Sequence, residues 1–166
     1  MAEAYLGLGA NLGDRLANLR RALARLGEVG RVLAVSSLYE TEPLGGPPGQ
    51  PPYYNACCRL ATDLGPRQLL TFLKGLEEEM GRRAGPRWGP RPLDLDILFY
   101  DDLALQTAEL ELPHPRLHQR PFVLVPLCDI APELRHPLLG LTVSQLRQRL
   151  GDRGVRLVAG PGWERG

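Results

Sequence analysis

Lysine is nearly missing from this chain of 166 residues: Lys74 is the only one, and every other side-chain cation apart from histidine is an arginine. Cysteine is scarce as well, with Cys57 and Cys58 adjacent and Cys128 far along the chain. The absence of a Cys-x-x-Cys pair or an even-numbered framework excludes a disulfide scaffold and a thiolate zinc site. Reduced thiols fit a cytoplasmic setting. No run of about eighteen apolar residues occurs, so no membrane-spanning helix is expected. The start, Met1-Ala2-Glu3-Ala4-Tyr5, lacks the basic-then-apolar order of an export signal. A surplus of one charge sign is missing too. The formal net charge is +1, whereas a general nucleic-acid binder carries a marked basic excess. Neither nucleic acid nor membrane is an expected partner.

What is present is the composition of a soluble globular domain, long enough to bury one core. The arginine bias is what a genome favouring Arg, Gly, Pro and Ala codons produces, so functional weight goes only to particular arginines. Ala4 to Gly9 reads as a strand ending in a glycine turn. Leu12, Leu16, Leu19, Leu23 and Leu26 then recur at helical spacing, with Gly27 placed to stop the helix. Val32 to Tyr39 reads as a second strand. Residues 43 to 52 carry too many prolines and glycines for a helix or a central strand, so a loop is expected, of a length that is usually functional. Tyr53 to Thr62 is a third strand. A helix opens at Pro66, carries Leu69, Leu73, Leu76 and Met80, and stops near Gly81. A loop with four arginines (82, 83, 87 and 91) leads to a fourth strand, Leu93 to Tyr100. Strand, helix, strand, strand, helix, strand is the order of a ferredoxin-like α+β fold, a split β-α-β unit with an antiparallel sheet and helices on one face. C-terminal additions follow: a turn at Asp101-Asp102, short strands, a helix from near Pro121, and a last helix opened by a Thr142–Gln145 capping box. No repeat interrupts residues 1 to 166, and a single domain is expected.

The chemistry centres on Asp94 and Asp96. Two apart on a strand, their carboxylates share a face, while Leu93, Leu95 and Ile97 point into the core. Aspartate is depleted in strands, so either this is a solvated edge or a cation lies between the two groups. Oxygen ligands of this kind suit magnesium, which takes one or two carboxylates plus substrate phosphates. Arg82, Arg87 and Arg91 lie just before them, where positive groups would face phosphate charge, although a solvated cationic loop has the same composition. Trp88 stacks on a flat ligand, shields the site, or is structural. Tyr53 and Asn55 share a strand face and suit the flat face and polar edge of a heterocycle, or simple packing. Phe122 is an opposite wall or core. His114 and His118 stand four apart, but prolines on both sides of His114 argue against a helical zinc pair. Gly7, Gly9 and Gly13 match neither dinucleotide nor P-loop spacing and read as a tight strand-to-helix turn.

Together these segments resemble the hydroxymethyldihydropterin pyrophosphokinase family over nearly the whole chain. The carriers are Gly9-Ala10-Asn11-Leu12-Gly13, Ser36 to Thr41 with Pro43-Leu44-Gly45, Arg87-Trp88-Gly89-Pro90-Arg91 through Leu93 to Ile97, and Pro113-His114 with Arg120 and Phe122. The resemblance implies a monomeric enzyme of folate biosynthesis that moves pyrophosphate from ATP to a pterin's hydroxymethyl oxygen and releases AMP. It implies two Mg2+ ions on Asp94 and Asp96, with Arg82 and Arg91 assisting the phosphate chemistry. It places Glu77, Arg87, Ile97, Leu110, Glu111, His114 and Arg120 around ATP. It places Thr41, Pro43, Leu44, Tyr53, Asn55, Trp88 and Phe122 around the pterin. Lys74 departs from a common glutamine. A magnesium-dependent nucleotidyltransferase and a non-catalytic ferredoxin-like module that binds RNA or a small ligand are the competing readings. The second would need a Lys/Arg-Gly-Phe signature that is not found.

Overall fold

A computed structural model of the protein describes residues 1–42, 48–81 and 90–165. The first strand, β1 (Ala2–Ala10), buries Ala4, Leu6, Leu8 and Ala10 in one core and turns Tyr5, Gly7 and Gly9 to the opposite face. The helix α1 (Arg15–Leu26) begins three residues later than the leucine spacing suggested. Asp14 caps it by accepting the Ala17 N–H at 3.0 Å, and Leu12 stays outside, 46% exposed.

The expected strand over 32–39 is two strands, β2 (Gly30–Val35) and β3 (Leu38–Thr41), both paired to β4 (Tyr53–Thr62). The break has a local cause. The hydroxyl of Ser36 accepts the Cys57 N–H at 2.9 Å, while the Ser36 N–H donates to the Cys57 carbonyl. A serine side chain thus takes a bond that a regular ladder gives to backbone. The helix α2 (Pro66–Glu79) starts on its proline, and Gln68 reaches back to accept the Gly65 N–H. Gly81, at φ +98°, turns the chain off its end.

With β5 (Asp94–Tyr100) the main sheet runs β5-β1-β4-β3, every pair antiparallel. The first strand lies between the last and the third, as a split β-α-β unit requires. α1 and α2 pack Leu19, Leu26, Leu69, Leu73 and Leu76 onto Leu6, Leu8, Leu60 and Leu95. Each such leucine contributes about 2 kcal/mol through burial. The C-terminal additions cover the other face: α3 (Pro121–Ile130) and α4 (Val143–Leu150) pack on Tyr5, Cys57, Leu98 and Phe99. A small hairpin, β6 (Leu105–Gln106) with β7 (Glu111–Leu112), stands apart from the main sheet.

One strand went unforeseen. β8 (Val155–Ala159) extends the sheet at β3, and Trp163 beyond it is buried, its indole N–H donating to the Ser36 carbonyl at 2.7 Å. Among the described residues no helix is long and apolar enough to cross a membrane. For the site, the consequence is that α3 and α4 cover the Tyr5–Phe99 end of their face and leave the Gly9–Asp94 end open.

Candidate active site

The strand register builds the site. Gly9 lies between Asn55 of β4 and Asp94 of β5, and Gly7 lies between Cys57 and Asp96. Directly paired residues share a face, so Asp94 faces Asn55, and Asp96 faces Cys57, across a lane that carries no side chains, with Tyr53 next to Asn55 on that face of β4. A Cβ at Gly9 would stand 3.1 Å from Nδ2 of Asn55 and 3.4 Å from the Tyr53 ring. Gly7 and Gly9 therefore form the floor of a trough. The expectation that they belong to a turn is corrected here; of the three glycines only Gly13, at φ +73°, turns the chain. A signal existed in the sequence, since glycines two apart alternating with Leu6 and Leu8 mark a strand face approached closely by something else.

The two carboxylates sit where the alternation of Leu93, Leu95 and Ile97 puts them, with those three apolar residues buried. Between them the Leu95 N–H donates to Oε2 of Glu77 at 2.8 Å, so α2 holds the strand segment that carries both aspartates. Glu77 is itself buried, and a carboxylate in that position is stabilised by the backbone donor.

Two cavities open onto these aspartates. The first, about 280 Å³, is walled by Thr41, Tyr53, Asn55 and Phe122 and also lined by Arg91, His114 and Arg120. The second, about 400 Å³, lies outward from β5 and is lined by Glu77, Ile97, Leu110, Glu111 and His114, together with Lys74. Asp94, Asp96 and His114 line both. In the first cavity the Thr41 hydroxyl donates to Oδ1 of Asn55, which leaves the amide N–H groups of Asn55 on the trough side, beside Gly9. Of the residues expected around the pterin, Thr41, Tyr53, Asn55 and Phe122 come together. Of those expected around ATP, Glu77, Ile97, Leu110, Glu111 and His114 do so in the second cavity, while Arg120 lines the first. Pro43, Leu44, Arg82, Arg83, Arg87 and Trp88 lie outside the described residues.

The cavity lining suits an anion. Arg120 lies over the Phe122 ring at 5.6 Å, and its buried Nε has no hydrogen-bond partner among the described residues. Burial lowers its pKa, with Asp96 drawing it back up; guanidinium stays charged regardless. His114 is pushed down to about 4, first by burial and then by Arg120 and Arg116. It is neutral at pH 7. Its Nδ1 accepts the Arg116 N–H at 3.2 Å, so the proton sits on Nε2, where it can be donated to a ligand oxygen.

That depressed pKa has a cost in acid. Between pH 6.5 and 4 the unfolded chain protonates this histidine and the folded one does not. Stability present above pH 6.5 is therefore lost as pH falls toward 4. Urea melts at pH 7.5 and pH 5 should show a smaller acid loss for His114→Gln than for the unaltered protein. Equal losses would mean that His114 is not held neutral.

The donor set decides which cation fits. Among the described residues no group of three or more His, Cys, Asp or Glu side chains could hold a metal alone. Two carboxylates without a third protein ligand suit a hard ion that takes its remaining oxygens from phosphate and water, and do not suit zinc.

A family model described as 7,8-dihydro-6-hydroxymethylpterin-pyrophosphokinase (HPPK) matches residues 5–132. The chain is 44% identical, over 98% of its length and 83% of the relative's, to the 2-amino-4-hydroxy-6-hydroxymethyldihydropteridine pyrophosphokinase of Synechocystis sp.. It is 41% identical, over 90% of its length, to Folic acid synthesis protein FOL1 of Dictyostelium discoideum, but spans only 23% of that longer protein. The fold matches that of Plasmodium falciparum HPPK-DHPS wild type with pteroate at a TM-score of 0.72 and 19% identity, over 89% of this chain and 42% of that one. The family match over residues 5–132 and the high identity along most of the Synechocystis chain lead to one statement: this chain belongs to the HPPK family.

Proposed function

We propose that the chain moves the β,γ-diphosphate of ATP to the hydroxymethyl oxygen of a dihydropterin, with the roles divided between its two cavities. The observation that carries this reading is that both cavities end on the same two aspartates. A reaction joining a flat heterocycle to a nucleotide's phosphates needs two pockets that meet where the phosphorus sits. In the first cavity Tyr53 and Phe122 sandwich the pterin ring, while Asn55 and Thr41, with Pro43, Leu44 and Trp88, read and cover its edges. In the second, Glu77, Ile97, Leu110 and Glu111 surround the nucleotide, with Arg87 and Arg120 on its phosphates. His114, neutral, donates its Nε2 proton to a phosphate oxygen.

Asp94 and Asp96 would hold two magnesium ions; bound there, magnesium neutralises phosphate charge and aligns the tail. The pterin oxygen attacks the β-phosphorus, the bond from that phosphorus to the α,β-bridging oxygen breaks, and the hydroxyl proton is released. AMP leaves. Arg82 and Arg91 face the charge that builds on the transferred oxygens. No protein nucleophile is required, because placement and charge neutralisation lower the barrier. A monomer in the cytoplasm completes the proposal, supported by three cysteines that are all free thiols.

The test is a product assay with ATP labelled at the γ-phosphate, magnesium and hydroxymethyldihydropterin. AMP and a labelled pterin diphosphate in equal amounts are expected. Labelled free pyrophosphate with AMP joined to the pterin would instead mean nucleotidyl transfer.

A further inference from the structure

We infer that Asn11 is a positioning residue that ties the two halves of the site together. The inference rests on the pyrophosphokinase reading. Asn11 follows the last residue of β1 and is 1% exposed, unusual for an asparagine in a turn. Its bonds explain the burial. The backbone N–H donates to the Arg91 carbonyl at 3.0 Å, and Oδ1 accepts the Arg91 N–H at 2.7 Å. Both polar groups of the Arg91 backbone are thus fixed by one residue, and Arg91 lines the first cavity with Asp94 and Asp96. On its other side the same amide donates from Nδ2 to the Pro51 carbonyl at 3.1 Å and to Oε1 of Gln50 at 3.3 Å. Pro51 stands two residues before Tyr53, the ring wall of that cavity.

One carboxamide therefore grips residues 50 and 51, just before β4, and residue 91, just before β5. The chemistry picks the residue. The site needs one acceptor and two donors on a short planar end, which asparagine offers, whereas aspartate has no donor and serine only one. Arg15 adds a bond to the next carbonyl, Pro52, at 2.8 Å, so the 51–52 segment is gripped twice; among the described residues the Arg91 backbone bonds are both to Asn11. Losing the grip lets the phosphate-facing arginine and the ring-facing tyrosine move independently. A misplacement of about 1 Å between reacting partners costs about 10²-fold in rate.

The experiment compares Asn11→Ala and Asn11→Asp with the unaltered protein. It measures kcat, both KM values, folded fraction by far-UV circular dichroism, and hydrogen exchange at the Arg91 amide. For Asn11→Ala a fall in kcat of about 10²-fold is expected, with each KM within about threefold and faster exchange at Arg91. Asn11→Asp keeps the acceptor for Arg91 and loses the donors to Pro51 and Gln50. Its Arg91 amide should stay protected while kcat falls by about tenfold or more. A folded variant of either kind with kcat within threefold of the original overturns the inference, as does a rate loss that only tracks the folded fraction. If Asn11→Ala does not fold, Asn11→Asp decides by the same criterion. Unaltered protein that forms no AMP would overturn the pyrophosphokinase reading, and this inference with it. Full turnover by both variants would overturn this inference alone.

Discussion

Asp96→Asn is expected to reduce turnover by about 10³-fold or more, a loss of roughly 4 kcal/mol of transition-state stabilisation, with little change in fold. Asparagine matches the size of aspartate and removes only its charge. Asp96 lies against Gly7, with no side chain between it and the trough, so the substitution creates no clash and leaves the Leu95–Glu77 bond in place. Asp94→Asn should fall in the same range, because both residues line both cavities. Under the proposed shared metal role, the double substitution should cost much less than the product of the two, since groups serving one cation cluster would act as a unit. Steady-state AMP release across a magnesium titration checks this. Partial rescue of either single variant at high magnesium is expected. Turnover within tenfold of the original in both would remove the carboxylates from the chemistry.

Arg91→Ala is expected to lower kcat by about 10³-fold and Arg91→Lys by about 10²-fold, with smaller effects on the KM for ATP. Alanine removes the guanidinium and leaves intact the two backbone bonds to Asn11, so the loss reports the side chain and not the anchoring. Lysine keeps the charge but not the planar fork, and a single ammonium cannot hold two oxygens in the same geometry. The kcat-against-KM split distinguishes the roles. A residue acting on charge that builds during transfer moves kcat, whereas one that only holds ground-state ATP moves KM. If Arg91→Ala changed KM alone, Arg91 would be a binding residue.

These residues differ in how far the sequence announced them. Asp94 and Asp96 were legible because two carboxylates alternate with Leu93, Leu95 and Ile97, and a strand has only two faces. Tyr53 and Asn55 were legible as a pair on the same grounds, and the register then placed them beside Gly9. Gly7 and Gly9 were legible only as a strand face that something approaches closely; that the Asn55 amide and the Tyr53 ring crowd Gly9 depends on the neighbouring strand. Asn11 was visible only within a motif. Its partners lie 39 to 80 positions away, and no local pattern reports a contact of that range. The split of the second strand depended on a hydroxyl at Ser36 replacing a ladder bond to Cys57. β8 was missed for a different reason. It is short, its three central residues are exposed, and glycines flank it, so neither period nor composition marks it as a strand.

The arrangement also separates stability from chemistry. The core that holds the sheet together is the leucine layer under α1 and α2. The first cavity occupies the opposite face, beyond the end that α3 and α4 cover, whereas the second reaches α2 through Lys74 and Glu77. Substitutions in the trough therefore act on substrates before they act on folding. The exceptions are Glu77 and Asn11, buried polar groups whose bonds serve both ends. Leaving their partners without a bond costs about 1–3 kcal/mol each.

The most direct measurement is a crystal grown with a non-hydrolysable ATP analogue and Mn2+ in place of Mg2+, read by anomalous scattering. Peaks are expected within bonding distance of the carboxylates of Asp94 and Asp96. A nucleotide bound in the second cavity with its manganese held elsewhere, and both aspartates away from any ion, would contradict that expectation.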